Sequence, residues 1–183
     1  MLPARPGDVL AVYGGDGWFN KLIRLGAWLQ RKPGPASHVV IVTHWDGQKW
    51  MGVQGQPSGV GPVDVTPYLR DKRTRSNNAQ PRTDGGVAPF LAAANAAMGT
   101  PYDWIGIAQD ACNALGLDGA DELLDRIWYW PGHAMPTHVV CSSLAAALYR
   151  LVGWAHPSVG DERNCAPCDW WQWADTRAWE NAA

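Results

Sequence analysis

Among the four cysteines of this 183-residue chain, at positions 112, 141, 165 and 168, one is placed for chemistry. Cys141 stands in His138-Val139-Val140-Cys141-Ser142-Ser143-Leu144, where an extended apolar segment turns into an Ala/Leu-rich helix. It therefore falls in the helix's first turn, where exposed N–H groups and the positive dipole end favour a thiolate over a thiol. The same N–H groups, at Ser142 and its neighbours, can donate to an oxyanion beside the nucleophile. A buried cysteine acting as a small apolar residue is the competing reading.

A thiolate nucleophile needs a base, and the base needs a group to orient it. His38 opens a β-branched run directly after the Pro/Gly-rich stretch Lys32-Pro33-Gly34-Pro35. That places it at the mouth of a strand, at the sheet edge. On its own it reads as a polar strand end. Gln54 follows 16 residues later. A hairpin turning near Asp46-Gly47 pairs positions whose numbers sum to about 93, which brings Gln54 close to His38. Its amide oxygen can then hold the imidazole in one tautomer.

The elements that must position these residues follow from pattern. Asp8–Tyr13 reads as a strand closed by Gly14-Gly15-Asp16-Gly17, and Trp18–Gln30 as a helix with Trp18, Leu22, Leu25 and Leu29 at helical spacing. His38–His44 and Lys49–Gln54 form the hairpin, with a short strand at Val60–Val65. Asp71–Thr83 is polar and loop-like, with room for one edge strand of unassigned position. Asp84 is placed to cap a helix over Val87–Met98, ended by Gly99 and Pro101. Trp104–Leu115, Asp121–Tyr129, Cys141–Val152 and Cys168–Trp179 complete the helices. Strands early and helices late make an α+β pattern in a single domain over 1–183.

Gly7-Asp8-Val9-Leu10, Ser37-His38-Val39-Val40-Ile41-Val42, Gly99-Thr100-Pro101-Tyr102-Asp103 and Cys141-Ser142-Ser143-Leu144 occur in that order. The order resembles the permuted branch of the NlpC-type papain-like cysteine peptidases, the YiiX-like proteins and relatives of lecithin:retinol acyltransferase. In that branch the histidine strand precedes the cysteine helix. The resemblance, spanning Gly7 to Val152, implies a circularly permuted papain-like fold, a small antiparallel sheet packed against helices. It implies Cys141 as nucleophile and His38 as general base, with Gln54 at the third polar position and Tyr102 lining the oxyanion pocket. One departure is a helical insertion near 104–135, which carries Trp128-Tyr129-Trp130 and separates Tyr102 from Cys141.

Composition bounds the rest. With 15 Lys+Arg against 17 Asp+Glu and a net charge of −2, the chain has no basic stripe for nucleic acid. No apolar run approaches the roughly 20 residues that span a bilayer. The first residues lack a basic segment followed by an apolar one, so no signal peptide is expected. Cys165-Ala166-Pro167-Cys168 with His133 and His138 offers four zinc-type ligands in the reverse of the usual finger order. Incidental thiols are the preferred reading, a redox dithiol is a further one, and no cofactor is expected. The 12 Trp against 5 Tyr and 2 Phe suit either core packing or a surface for substrate or a protein partner, above all in the Trp-rich C-terminal segment.

The expected function is a cysteine hydrolase that cleaves amide bonds through an acyl-enzyme. The resemblance points to peptidoglycan peptide stems as substrate. Synthesis in a cytoplasm without a leader then calls for another route to the wall, as a phage tail-tip protein, a lysis protein or a delivered effector would have. Two alternatives stand beside it: a lipid or thioester acyl hydrolase or acyltransferase, and a non-catalytic virion or binding domain of the same fold.

Overall fold

Short β-branched runs punctuated by Gly and Pro dominate the first half of the chain, and they pair into one sheet. The computed structural model describes residues 1–29, 32, 34–77, 84–103, 140–157 and 165–174. Its strands are β1 (Val9–Val12), β2 (His38–Trp45), β3 (Trp50–Gln56), β4 (Gly59–Asp64) and β5 (Arg75–Ser76). All neighbours are antiparallel, in the order β4-β3-β2-β1-β5. The helices are α1 (Trp18–Leu29), α2 (Thr66–Arg70), α3 (Val87–Ala96), α4 (Cys141–Leu151) and α5 (Pro167–Trp173). The architecture is α+β.

Both faces of the sheet are covered, which is why β2 is apolar at successive positions instead of alternating. Val9, Ala11, Val39, Ile41 and Val53 pack with Phe90, Leu144, Leu148, Tyr149 and Trp170 from the later helices. Leu10, Val12, Val40 and Val42 point the other way, onto Leu2, Val65 and Leu69. α4 is the central element: every residue from Cys141 to Tyr149 is buried. A helix apolar all round belongs in a core. The Tyr149 ring meets Phe90, Trp154 and Trp170 edge-on with centroids 5.2–5.4 Å apart. Its hydroxyl donates to the Gly7 carbonyl at 2.9 Å and accepts from Asn77 Nδ2 at 2.5 Å, tying α4 to the start of β1.

Most elements lie within a residue or two of their expected bounds, and the edge strand left unassigned is β5, paired with β1. Three differences are physical. Asp84–Gly86 forms a 3-10 turn, so the N-cap position of α3 falls to Gly86 and not to Asp84. α5 stops at Trp173 because Ala174 is extended (φ −69°, ψ 139°), well before Trp179. α2 has no apolar period to announce it and carries Pro67 in its first turn, where proline is tolerated.

The tryptophans divide by position. Trp170 and Trp154 are buried, and Trp171 and Trp173 pack against the core. The described part of the C-terminal segment thus contributes to packing, while Trp179 lies outside the described residues. Trp18, Leu25 and Trp28 of α1 are instead exposed, at 76%, 51% and 68%. The expected helices at 104–115 and 121–129, with the insertion near 104–135, lie outside the described residues. Among the described residues no helix is long and apolar enough to cross a membrane.

Candidate active site

Three elements converge on Cys141. α4 begins with it, after Val140 in extended conformation (φ −94°, ψ 160°). Ser143, two residues into the helix, accepts the Val140 N–H on its hydroxyl oxygen at 3.1 Å and so fixes the entry of the chain. β3 passes beneath this start. A Cβ on Gly55 would lie 3.2 Å from the Cys141 nitrogen and 3.3 Å from its Cα, so only glycine lets the helix settle so close. Trp170 holds the next residue, donating its indole N–H to the Ser142 carbonyl at 3.2 Å.

β2 delivers His38 as its first residue. The β2–β3 register pairs Val40 with Gln54 and Ile41 with Val53, and it shifts between Val42 and His44. Next to the turn the paired numbers sum to 95, because the hairpin closes at Trp45 and Trp50. The irregularity at Thr43 brings the sum to 94 near the site, one more than the hairpin arithmetic suggests. Extended by one pair, this register sets His38 opposite Gln56 and makes Gln54 its diagonal neighbour. Gln54 Oε1 lies 2.8 Å from His38 Nε2, and Gln54 Nε2 donates to Gln56 Oε1 at 3.2 Å.

The His38 ring and the Cys141 thiol lie close enough to shift each other's titration, both as charges and as hydrogen-bonding partners. With Nε2 engaged by Gln54, the sulfur is left to Nδ1. Burial works against charge on both groups, pushing the thiol up and the imidazole down. Each group outweighs that penalty in the other. The imidazolium charge and hydrogen bond, with backbone hydrogen bonds from Val39 and Ser142, bring Cys141 below its ordinary value. The thiolate charge, its hydrogen bond and Gln54 lift His38 above its own. Both shifts run toward a thiolate–imidazolium pair.

Tyr102 is brought to the same place by β4. Val60 N–H donates to the Thr100 carbonyl and Gly99 N–H to the Val60 carbonyl, both at 2.9 Å. Gly59, at φ +106°, has no room for a side chain there, since a Cβ would sit 2.9 Å from the Thr100 oxygen. Tyr102 is buried. Burial, then the negative charges of Cys141 and Asp103, drive its phenol far up, so it keeps its proton. Ser142 is buried beside the nucleophile and presents its backbone N–H to the sulfur.

All five expected site residues (Cys141, His38, Gln54, Tyr102 and Ser142) therefore sit together. Of the zinc-type set, His133 and His138 lie outside the described residues, as does Cys112. Cys165 and Cys168 are buried free thiols. No group of three or more metal-ligand residues occurs among the described residues. Burial, then Asp169, raises both thiols, Cys168 to about 11, which disfavours the thiolate a redox dithiol needs. Sequence reasoning missed Gln56 and Gly55. The signal for Gln56 was its two-residue spacing from Gln54 on a strand, and for Gly55 its place inside a strand.

Scans against protein-family models, curated proteins and solved structures each returned no match to this chain.

Proposed function

We propose that this chain is a cysteine hydrolase of circularly permuted papain-like fold that cleaves amide bonds through an acyl-enzyme, with peptidoglycan peptide stems as substrate. The observation that carries the reading is Cys141 at the start of a buried helix beside His38, whose ring is held in turn by Gln54 at 2.8 Å. The substrate class comes from the resemblance of the ordered motifs and rests on that alone.

The chemistry follows from the pair. The Cys141 thiolate attacks the carbonyl carbon, and its electron pair forms the C–S bond as the carbonyl oxygen becomes an oxyanion. That oxyanion takes hydrogen bonds from N–H groups in the first turn of α4 and from the protonated Tyr102 hydroxyl. His38, as imidazolium, gives its proton to the departing nitrogen, and the C–N bond breaks to leave a thioester. Neutral His38 then accepts a proton from water, whose oxygen attacks the thioester. The C–S bond breaks, the carboxylic acid leaves and the thiolate–imidazolium pair returns. Gln54 holds the ring throughout. As a neutral amide it orients the imidazolium and stabilises it less than a carboxylate would.

Incubation with purified peptidoglycan stem peptides, followed by mass spectrometry, tests the reading. Cleavage at an amide bond that disappears in Cys141→Ala supports it. Intact stems, or cleavage unaffected by Cys141→Ala, overturn it.

A second reading, an acyl-ester or thioester hydrolase, draws on α1. The Ser37 hydroxyl, next to His38, lies 3.1 Å from Asn20 Oδ1, so α1 starts beside the histidine with Trp18 exposed. Turnover of long-chain acyl esters without turnover of stem peptides decides for it.

A further inference from the structure

Gln54 faces a problem that a carboxylate in its place would not. An amide has an accepting end and a donating end of nearly the same shape. With Oε1 toward His38, Nε2 of the ring carries a proton and Nδ1 is free to serve the thiol. With Nε2 of the amide toward His38, the ring must present a bare Nε2, its proton moves to Nδ1, and no proton acceptor faces Cys141. An imidazolium cannot pair with that second orientation at all, because both ring nitrogens are then donors. A half-turn of one side chain separates a competent base from an incompetent one.

Gln56 supplies the discrimination by turning the oxygen end of its own amide to Gln54. It lies two residues along β3 from Gln54, on the same side of the strand, and its Oε1 accepts the Gln54 amide N–H at 3.2 Å. Its backbone is held on the far side by pairing with Gly59, the residue packed against Thr100. We propose that Gln56 is a positioning residue: by accepting from Gln54 it keeps the Gln54 oxygen on His38 and leaves Nδ1 to Cys141. The inference rests on the cysteine-hydrolase reading of the site and adds a member that the expected Cys–His–Gln set does not contain.

The test varies the polarity of residue 56. Gln56→Met removes the acceptor at similar length, and Gln56→Glu keeps an acceptor that cannot donate. Cys141 alkylation by iodoacetamide is followed against pH by mass spectrometry. In a Cys141→Ser background, nitrogen NMR of labelled histidine reads the His38 tautomer. Loss of one neutral hydrogen bond predicts that Q56M slows alkylation at mildly acidic pH about fivefold and moves the His38 proton from Nε2 alone to both nitrogens. Q56E alkylates at least as fast as wild type. In a Gln54→Glu background, where either oxygen can accept, Q56M has no effect.

Equal changes in Q56M and Q56E, or none in Q56M while wild-type Cys141 remains reactive at acidic pH, overturn the role of Gln56 alone. Wild-type Cys141 that alkylates like a free thiol overturns the site reading and this inference together. Should Q56M fail to fold, Gln56→Asn, an amide too short to reach, carries the same comparison.

Discussion

α4 and α5 start from nearly identical backbones. Val140 enters α4 at φ −94°, ψ 160°, and Ala166 enters α5 at φ −95°, ψ 159°. In both, the third helical residue accepts the N–H of the residue before the helix, Ser143 at 3.1 Å and Asp169 at 2.8 Å. Both carry a buried cysteine in the first turn, Cys141 and Cys168. Yet Cys141 falls below its ordinary pKa while Cys168 is pushed up to about 11. Burial opposes the thiolate at both. The partners differ: α4 starts against the His38 ring, whereas Asp169 lies beside the α5 thiol and repels its charge. A helix N-terminus does not by itself make a nucleophile. The sign of the neighbouring group decides.

The sharpest break of that contrast is to delete each thiol in turn. Cys141→Ala is expected to lower amide hydrolysis on the order of 10⁴-fold or more. Cys168→Ala leaves the rate within about twofold, since Cys168 touches none of the reacting groups in the proposed chemistry. Steady-state rates on the same stem peptide check both.

His38→Ala should make the start of α4 resemble that of α5. Burial remains and the compensating charge is gone, so the Cys141 thiol rises above its ordinary value, and the rate falls about 10²–10⁴-fold. In wild type the sign runs the other way. The thiolate forms as pH rises through the lowered Cys141 value, and the imidazolium is lost as pH rises through the raised His38 value. The pH–rate profile is therefore a bell whose acid limb lies below the free-thiol range and whose alkaline limb lies above the free-imidazole range. A profile with its acid limb at the ordinary thiol value contradicts the pairing.

Gly55→Ala probes placement without touching charge. The new Cβ, 3.2 Å from the Cys141 nitrogen, forces the helix start to give by a few tenths of an ångström. A rate loss of about tenfold is expected, with the bell unmoved on the pH axis. The smallest effect belongs to α5. Asp169→Asn keeps the hydrogen bond to Ala166 but loses the ion pair to Lys32 at 3.0 Å. It should bring Cys168 down from about 11 and cost less than about 1 kcal/mol in a denaturant titration.

How far the site could be read from sequence follows the same division. Cys141 and His38 were legible because each stands where an element changes type, and such boundaries leave local marks. Gln54 was legible because the hairpin's pairing follows from the Asp46-Gly47 turn. The irregularity at Thr43 was not, since nothing in Val42-Thr43-His44 signals an extra residue, and it alters the pairing sum by one. Gln56 depends on that register, and Gly55 on the approach of a helix 86 residues away in sequence, so neither has a local mark that names its partner. Composition alone does not sort the Trp residues between core and surface. Trp170 packs inward against Tyr149 while Trp18 and Trp28 on α1 are exposed. Which side of a helix is covered depends on what packs there, and that information is not carried by the helix itself.

The central claim is the thiolate–imidazolium pair, and ultraviolet thiolate absorbance tests it without substrate. The difference signal between wild type and Cys141→Ser is titrated against pH, with and without His38→Ala. A mutually stabilised pair predicts half-formation of the Cys141 thiolate well below the free-thiol value of about 8.5, shifting above it when His38 is removed. Half-formation at or above about 8.5 in both proteins would contradict it.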